Sequence, residues 1–422
     1  MEDIITKIKE GIKLHFIETD KFKTNDVAIF LTTKLSRENV TKEALIPAVL
    51  RLGTNNIKTQ RELNKRLEEM YGAHSNCGIE KRGDNHILKF YIETIDNDFT
   101  LEKENLLEQS INLILDIVLN PLTSNNAFNE QYVNGEKKNL QKIIEAKIDN
   151  KSNYAFVRCI EEMYKNRNYG LYEYGYVEDL TDINASNLYK YYKELLNKCK
   201  IDIFVSGRIR DKKEIIDIVK NNLEKAKLED REPEFMHNSI ENVDNVKEKN
   251  ISESMNVTQG KLIIGMSIKE AEKENAPLNV YNAILGGGAN SKLFQNVREK
   301  ASLAYTAGSS YVKTKGNIFI RCGIEIPNYD KALKIIREQL QDIKDGKFSN
   351  EDISNAKELI IAGLNSIKDE QTSEISYLMS QEILSQKIDL EEYINQIRAV
   401  SKEDIIRIAN KIEINTIYFL KN

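Results

Sequence analysis

The sequence predicts an α+β protein of two duplicated lobes, each a sheet with helices stacked on one face. Three observations carry this expectation. Strand-like runs and amphipathic helical runs follow one another in the same order in both halves. The stretches YGAHSNCGIEKRGDNHILKFYIE and AYTAGSSYVKTKGNIFIRCGIE share a shape: a Tyr/Gly/Ala cluster after a helix, a basic turn with Gly, and an apolar strand closing on Glu. Between the halves lies a polar stretch, EDREPEFMHNSIENVDNVKEKN, whose charges and Pro233 give it no core of its own. Lobes are therefore expected over residues 1–226 and 255–422, with a linker over 227–254. A repeat of half the chain is far too long for a solenoid.

In the first half, GIKLHFIET and NDVAIFLTT read as strands, being β-branched or apolar runs bounded by Asp, Asn and Lys. A helix is expected over 41–52, stopping near Gly53, and another over 59–70, where Leu63, Leu67 and Met70 recur at helical spacing. A hairpin turning at Arg82-Gly83-Asp84 follows, with HILKFYIETI as its better strand. Helices over 105–119, 127–147, 152–165 and 185–197 lead to the strand IDIFVSG and a helix over 211–226. The second half opens on the strand KLIIGMSI, with helices over 276–287 and 290–300. Its hairpin turns at Lys315-Gly316-Asn317. Helices over 328–345, 350–369, 372–385, 389–397 and 401–411 precede the closing strand NTIYFLK.

Composition narrows the function. Apolar residues make up 41% of the 422 and charged residues 30%, the balance of a soluble globular protein. The 61 basic and 66 acidic residues are spread along the chain, net −5, so no basic stripe points to nucleic acid. The N-terminus lacks the apolar core of a signal peptide, and no run approaches a membrane span. A cytoplasmic location is the default expectation. Cys77, Cys159, Cys199 and Cys322 match no short metal or redox spacing and are expected to be buried free thiols.

The metal question turns on four histidines: His15, His74, His86 and His237. Two His hold one metal from a helix when they stand three or four residues apart, and no pair here does. His74 and His86 flank the first hairpin, and a structural or surface role is expected of them rather than a meeting across it. Close Cys pairs for a thiolate site are missing too. A metal site encoded by this chain is not expected.

Residues 286–311 need a separate account. Gly286, Gly287 and Gly288 do not make a phosphate loop, because Ser291 rather than Gly precedes Lys292. They are expected to end one helix and free the backbone for a turn, with Asn290 or Ser291 capping the next. Arg298 then falls in the last turn of that helix, and Tyr305 starts a strand after the short turn 301–304. By residue type alone, Arg298 complements the helix dipole and Tyr305 is an ordinary strand residue.

The run LGGGANSKLFQNVREKASLAY, Leu285 to Tyr305, resembles the M16 (pitrilysin-like) zinc-peptidase family. The family's second lobe carries small-Gly-Gly, Ser-[Arg/Lys]-Leu-Phe, Val-Arg-Glu-Lys and Leu-Ala-Tyr in this order. The ending YYKELLNKCKIDIFVSGRI is similar to the family's first-lobe ending. The resemblance implies an α+β fold of two homologous lobes, each a mostly antiparallel sheet with helices packed on one face. It implies that Arg298 and Tyr305 are a substrate-orienting pair, donating hydrogen bonds to peptide carbonyl oxygens near the scissile bond. The family's zinc motif, His-x-x-Glu-His, precedes a Gly-Thr pair. Anchored on Gly53-Thr54, it falls on residues 44–48: Ala44 and Ala48 replace the ligands and Pro47 the general base. With Glu136 matched to the acidic residue that precedes the third ligand, that ligand becomes Ile143. The family includes heterodimers in which one subunit bears zinc and the other the Arg/Tyr pair. The resemblance therefore implies a subunit without its own catalysis or zinc, whose partner is a zinc-bearing M16 subunit or a second copy, acting on a peptide. The alternative is a peptide-binding or scaffold protein of the same fold.

Overall fold

The computed structural model describes residues 3–102, 104–236, 247–268, 275–386 and 388–422. The chain forms two compact units, neither contiguous in sequence. The first comprises residues 1–145, 171–237 and 370–385, and the second residues 146–170, 238–369 and 386–422. His237 and the middle of the expected linker, 237–246, lie outside the described residues.

In chain order the first unit contains β1 (Asp3–Lys9), β2 (Ile12–Glu18), β3 (Thr24–Lys34), α1 (Val40–Leu50), α2 (Gln60–Glu69), β4 (His74–Arg82), β5 (Asn85–Ile95) and α3 (Leu106–Leu119). The two-residue strands β6 (Thr123–Ser124) and β7 (Ala127–Phe128) precede α4 (Glu130–Glu145), so the helix expected from 127 starts later. After α5 (Lys151–Met163), which belongs to the second unit, the first unit continues with α6 (Ala185–Lys198), β8 (Lys200–Gly207) and α7 (Lys212–Lys225). The second unit holds β9 (Lys249–Ser254), β10 (Gly260–Ile268), α8 (Asn275–Gly286), β11 (Ala304–Val312), β12 (Asn317–Ile324), α9 (Tyr329–Lys344) and α10 (Asn350–Ser366). Helix α11 (Gln371–Leu384) returns to the first unit, and α12 (Leu390–Ala399), α13 (Lys402–Lys411) and β13 (Ile412–Lys421) complete the second.

The first sheet runs β1-β2-β8-β3-β5-β4 and the second β11-β12-β10-β13-β9. Both are antiparallel except at one pair each, β2 with β8 and β13 with β9. Read from β4 and from β11, five strands follow the same series: antiparallel, antiparallel, antiparallel, parallel. The duplication seen in sequence is thus a duplication of topology, with β1 added at one edge. Gly83 at φ +59° and Gly316 at φ +62° make the two hairpin turns, adopting the left-handed backbone that other residues resist.

Each sheet has its main core on one face. The first is built with α1, α3, α6 and α7, through Leu45, Leu50, Ile111, Ile114, Leu188 and Val219. The second is built with α8, α9, α12 and α13, through Tyr281, Leu285, Ile336, Ile397 and Ile405. One helix also covers each opposite face, beyond the single helical face expected. Ile375, Met379 and Ile383 of α11 repeat every fourth residue and pack on Ile17, Ala28, Phe30, Ile87 and Phe204. Ala155, Cys159, Ile160 and Met163 of α5 pack on Ile263, Phe319 and Tyr418. Polar contacts fix both helices. Arg82 donates to the Ser376 carbonyl at 2.9 Å and to the Ser376 and Ser380 hydroxyls at 2.8 and 2.7 Å. Glu253 accepts from Tyr154, Arg158 and Tyr418 at 2.6, 3.1 and 2.6 Å.

Where described, the stretch expected as a linker, 227–254, is held at both ends. Buried Arg231 donates to the Leu196 carbonyl at 2.7 Å, and the N–H groups of Arg231 and Glu234 donate to the carbonyls of Glu10 and Lys198. Its last residues form β9. The polar composition signalled a lack of core but not backbone pairing.

Candidate functional site

Helix α1 carries the three motif positions of the first lobe. Ala44 and Pro47 are buried, and Ala48 is half-buried. Pro47 stands inside the helix and has no N–H to return to the carbonyl four residues back. Its own carbonyl oxygen accepts from the Cys77 thiol of β4 at 3.3 Å. Burial pushes that thiol up to about 11, with Arg51 opposing and Glu136 adding. Glu136 on α4 is buried, 4.0 Å from the Arg51 guanidinium, and accepts from Asn139 at 3.2 Å. Ile143, on the same helix, is 45% exposed. Methyl groups, a pyrrolidine ring and a sec-butyl group offer zinc no donor, so these residues do not fit the metal of the motif. Among the described residues, no three His, Cys, Asp or Glu side chains are grouped to hold a metal ion.

The described histidines have other surroundings. His15 is buried, 3.1 Å from Asp202 and stacked on Phe204 at 4.1 Å. His86 is buried 2.7 Å from Glu43. His74 is exposed at the far end of β4: it pairs with Glu93, and His86 with Lys81, so the two do not meet across the hairpin. Three of the four cysteines are buried free thiols, and Cys77 is partly buried.

The second-lobe stretch is built around two backbone irregularities. Helix α8 ends at Gly286, where a Cβ would come within 2.3 Å of the Ser309 nitrogen, so glycine here permits close approach to β11. Ser291 does not cap the next helix by accepting; its hydroxyl donates to the Gly288 carbonyl at 2.6 Å. The helix expected over 290–300 starts at 292, two α-helical residues leading into a π-helix over Phe294–Lys300, the wide form that recurs at functional sites. Ser302, at φ +52°, closes it: the Ser302 and Leu303 N–H groups donate to the Arg298 and Val297 carbonyls at 3.1 and 3.0 Å. Strand β11 starts at once. In its register Ala304 pairs with Ile324 and Thr306 with Gly323, leaving Tyr305 as a one-residue bulge.

Arg298 and Tyr305 therefore lie on consecutive, touching elements, both exposed, Tyr305 to 63%. The Arg298 guanidinium sits 4.5 Å over the Phe294 ring, with Glu299 3.6 Å from Nε. Neither the guanidinium nor the phenol hydroxyl makes a hydrogen bond to the described residues. Two neighbours were not singled out from the sequence: Phe294, whose ring lies under Arg298, and Thr306, which follows Tyr305 and accepts from the Gly323 N–H. The four-residue step from Phe294 to Arg298 was the available signal for the first.

Two lobes, each a mixed sheet flanked by helices, define the class of fold. The chain belongs to the M16 peptidase family. The family model of the peptidase M16 inactive domain matches residues 182–360. The chain is 35% identical over 418 residues, 97% of it and 96% of the relative, to the probable inactive metalloprotease YmfF of Bacillus subtilis. It is 26% identical over 321 residues, 75% of it and 76% of the relative, to the uncharacterized zinc protease YmxG of the same bacterium. Among solved structures, a conserved protein from Enterococcus faecalis superposes with a TM-score of 0.90 at 26% identity, covering 100% of this chain and 99% of that one. Among the described residues, no helix is long and apolar enough to cross a membrane.

Proposed function

We propose that this chain is the substrate-contacting, non-catalytic subunit of a heterodimeric M16 zinc endopeptidase. It supplies Arg298 and Tyr305 to an active site whose zinc and general base belong to a partner chain. The observation that carries this reading is the state of the pair: two exposed donors on adjacent elements with no internal hydrogen bond to satisfy them. Held beside a peptide, they are available to its carbonyl oxygens, where charge develops during hydrolysis. The lack of ligand atoms at Ala44, Ala48 and Ile143 supports placing the metal on another chain. That Bacillus subtilis holds both a probable inactive and a zinc-protease relative of this chain supports a two-subunit arrangement. The four free thiols support a reducing, cytoplasmic setting.

A scaffold or peptide-binding role is the second reading, favoured by the edge positions of β4 and β11, each paired with a strand on one side only. Mixing separates the two. The purified chain alone is expected to hold no stoichiometric zinc and to cleave no peptide. With an M16 subunit carrying His-x-x-Glu-His from the same genome, peptide hydrolysis is expected to rise above that of either chain. Cleavage by this chain alone overturns the proposal, and binding of peptide without any gain in cleavage favours the scaffold.

A further inference from the structure

The two exposed residues of the second lobe are each held by a neighbour whose chemistry suits that task. Phe294 opens the π-helix, and its ring lies 4.5 Å under the Arg298 guanidinium. A stacked guanidinium loses rotamer freedom but keeps its N–H edge free, because the attraction uses the face of the ion. The Glu299 carboxylate forms an ion pair 3.6 Å from Nε, beyond hydrogen-bond distance, so the ring face and this loose pair hold the side chain without a hydrogen bond to its N–H groups.

Tyr305 is held through its backbone. The bulge removes one rung of the β11–β12 ladder, and the Gly323 N–H donates instead to the Thr306 hydroxyl at 3.2 Å. Gly323 is buried, so this donor has no easy recourse to water. A Cβ at 323 would stand 3.0 Å from both Thr306 Oγ1 and Gln259 Oε1, so these side chains would have to shift to admit one. A strand register shifted by one residue sends its side chains to the opposite face. The Thr306–Gly323 bond holds the strand where the register resumes, next to the bulged Tyr305.

We infer that Phe294 and Thr306 are positioning residues that preset Arg298 and Tyr305 for the peptide. This rests on the role proposed for the pair and deepens it: the donors are aimed before substrate arrives, which spares the ordering cost on binding.

The test uses this chain paired with a zinc-bearing M16 subunit, a fluorogenic peptide, and four variants checked for folding by circular dichroism. Phe294→Leu and Thr306→Val are expected to lower kcat about 10-fold with KM within about 2-fold. Phe294→Tyr and Thr306→Ser, which keep ring and hydroxyl, are expected to stay within about 2-fold of the parent. Phe294→Leu is expected to add nothing in an Arg298→Ala background, and Thr306→Val nothing in a Tyr305→Phe background, since each acts through its partner. On this chain alone, the Arg298 Hε resonance is expected to move when Phe294→Leu removes the ring current. Undiminished losses in the backgrounds lacking Arg298 or Tyr305, or an unmoved Hε resonance, overturn the positioning role. If Arg298→Ala and Tyr305→Phe are themselves fully active, the pair's role falls and this inference with it. If they are impaired while Phe294→Leu and Thr306→Val are not, only the inference falls.

Discussion

The Cys77 thiol donates to the Pro47 carbonyl oxygen across 3.3 Å, at the turn of α1 where the family's general base is expected. Burial holds the thiol near 11, so at pH 7.5 it is almost wholly protonated. Since the thiolate is the reactive form, Cys77 is expected to label with a disulfide reagent about 100-fold more slowly than a cysteine of ordinary pKa. Cys159, Cys199 and Cys322, buried and pushed up to about 12, are expected to stay unlabelled until the protein unfolds. Counting thiols released with and without denaturant checks this, and rapid native labelling of any of the four contradicts it.

Pro47 inside α1 costs a backbone hydrogen bond that another residue would make. Pro47→Ala is expected to stabilise the protein by about 1 kcal/mol, the gain in helix propensity being partly offset by lost packing of the ring. Urea denaturation gives the value. A destabilisation would mean that the ring is needed to shape the helix.

Asp26 is buried on β3 with Oδ1 lacking a hydrogen-bond partner, and its pKa is raised to about 7 by burial first, then by Glu93 and Glu370. The folded state therefore keeps a proton that the unfolded chain releases near pH 4. Stability from this group is greatest in acid, falls as pH rises from about 4 to about 7, and is level above that. Asp26→Asn is expected to flatten this window and to raise stability at pH 8 by on the order of 2 kcal/mol. Denaturation midpoints at pH 5, 6.5 and 8 check it; an unchanged slope contradicts it.

Arg82 ties α11 to the first sheet through three hydrogen bonds to Ser376 and Ser380. Arg82→Met is expected to speed amide exchange across Gln371–Leu384 by about 10-fold, leaving α10 unchanged. Hydrogen-exchange mass spectrometry reads this directly.

Much of the fold was legible because local chemistry stated it. Gly83 and Gly316 mark the hairpins, and the Thr59, Ser349 and Ser401 side chains cap helices by accepting from the Glu62, Asp352 and Asp404 N–H groups. Strands β1 and β9 were not legible. Both are edge strands with many polar residues, and their pairing depends on β2 and β13, far away in sequence for β9. Nor could periodicity tell that α5 covers the second sheet and α11 the first, because an apolar stripe does not say which sheet it meets. The π-helix and the Tyr305 bulge are outcomes of packing and register. Arg298 and Tyr305 were singled out by family resemblance alone, since by residue type an arginine ending a helix and a tyrosine in a strand are ordinary.

The most direct test of the account uses peptide hydrolysis by this chain paired with a zinc-bearing M16 subunit, parent against Arg298→Ala, at equal zinc content. A loss of about 10²-fold is expected, the scale of a lost oxyanion donor. Equal activity of the two pairs would contradict it.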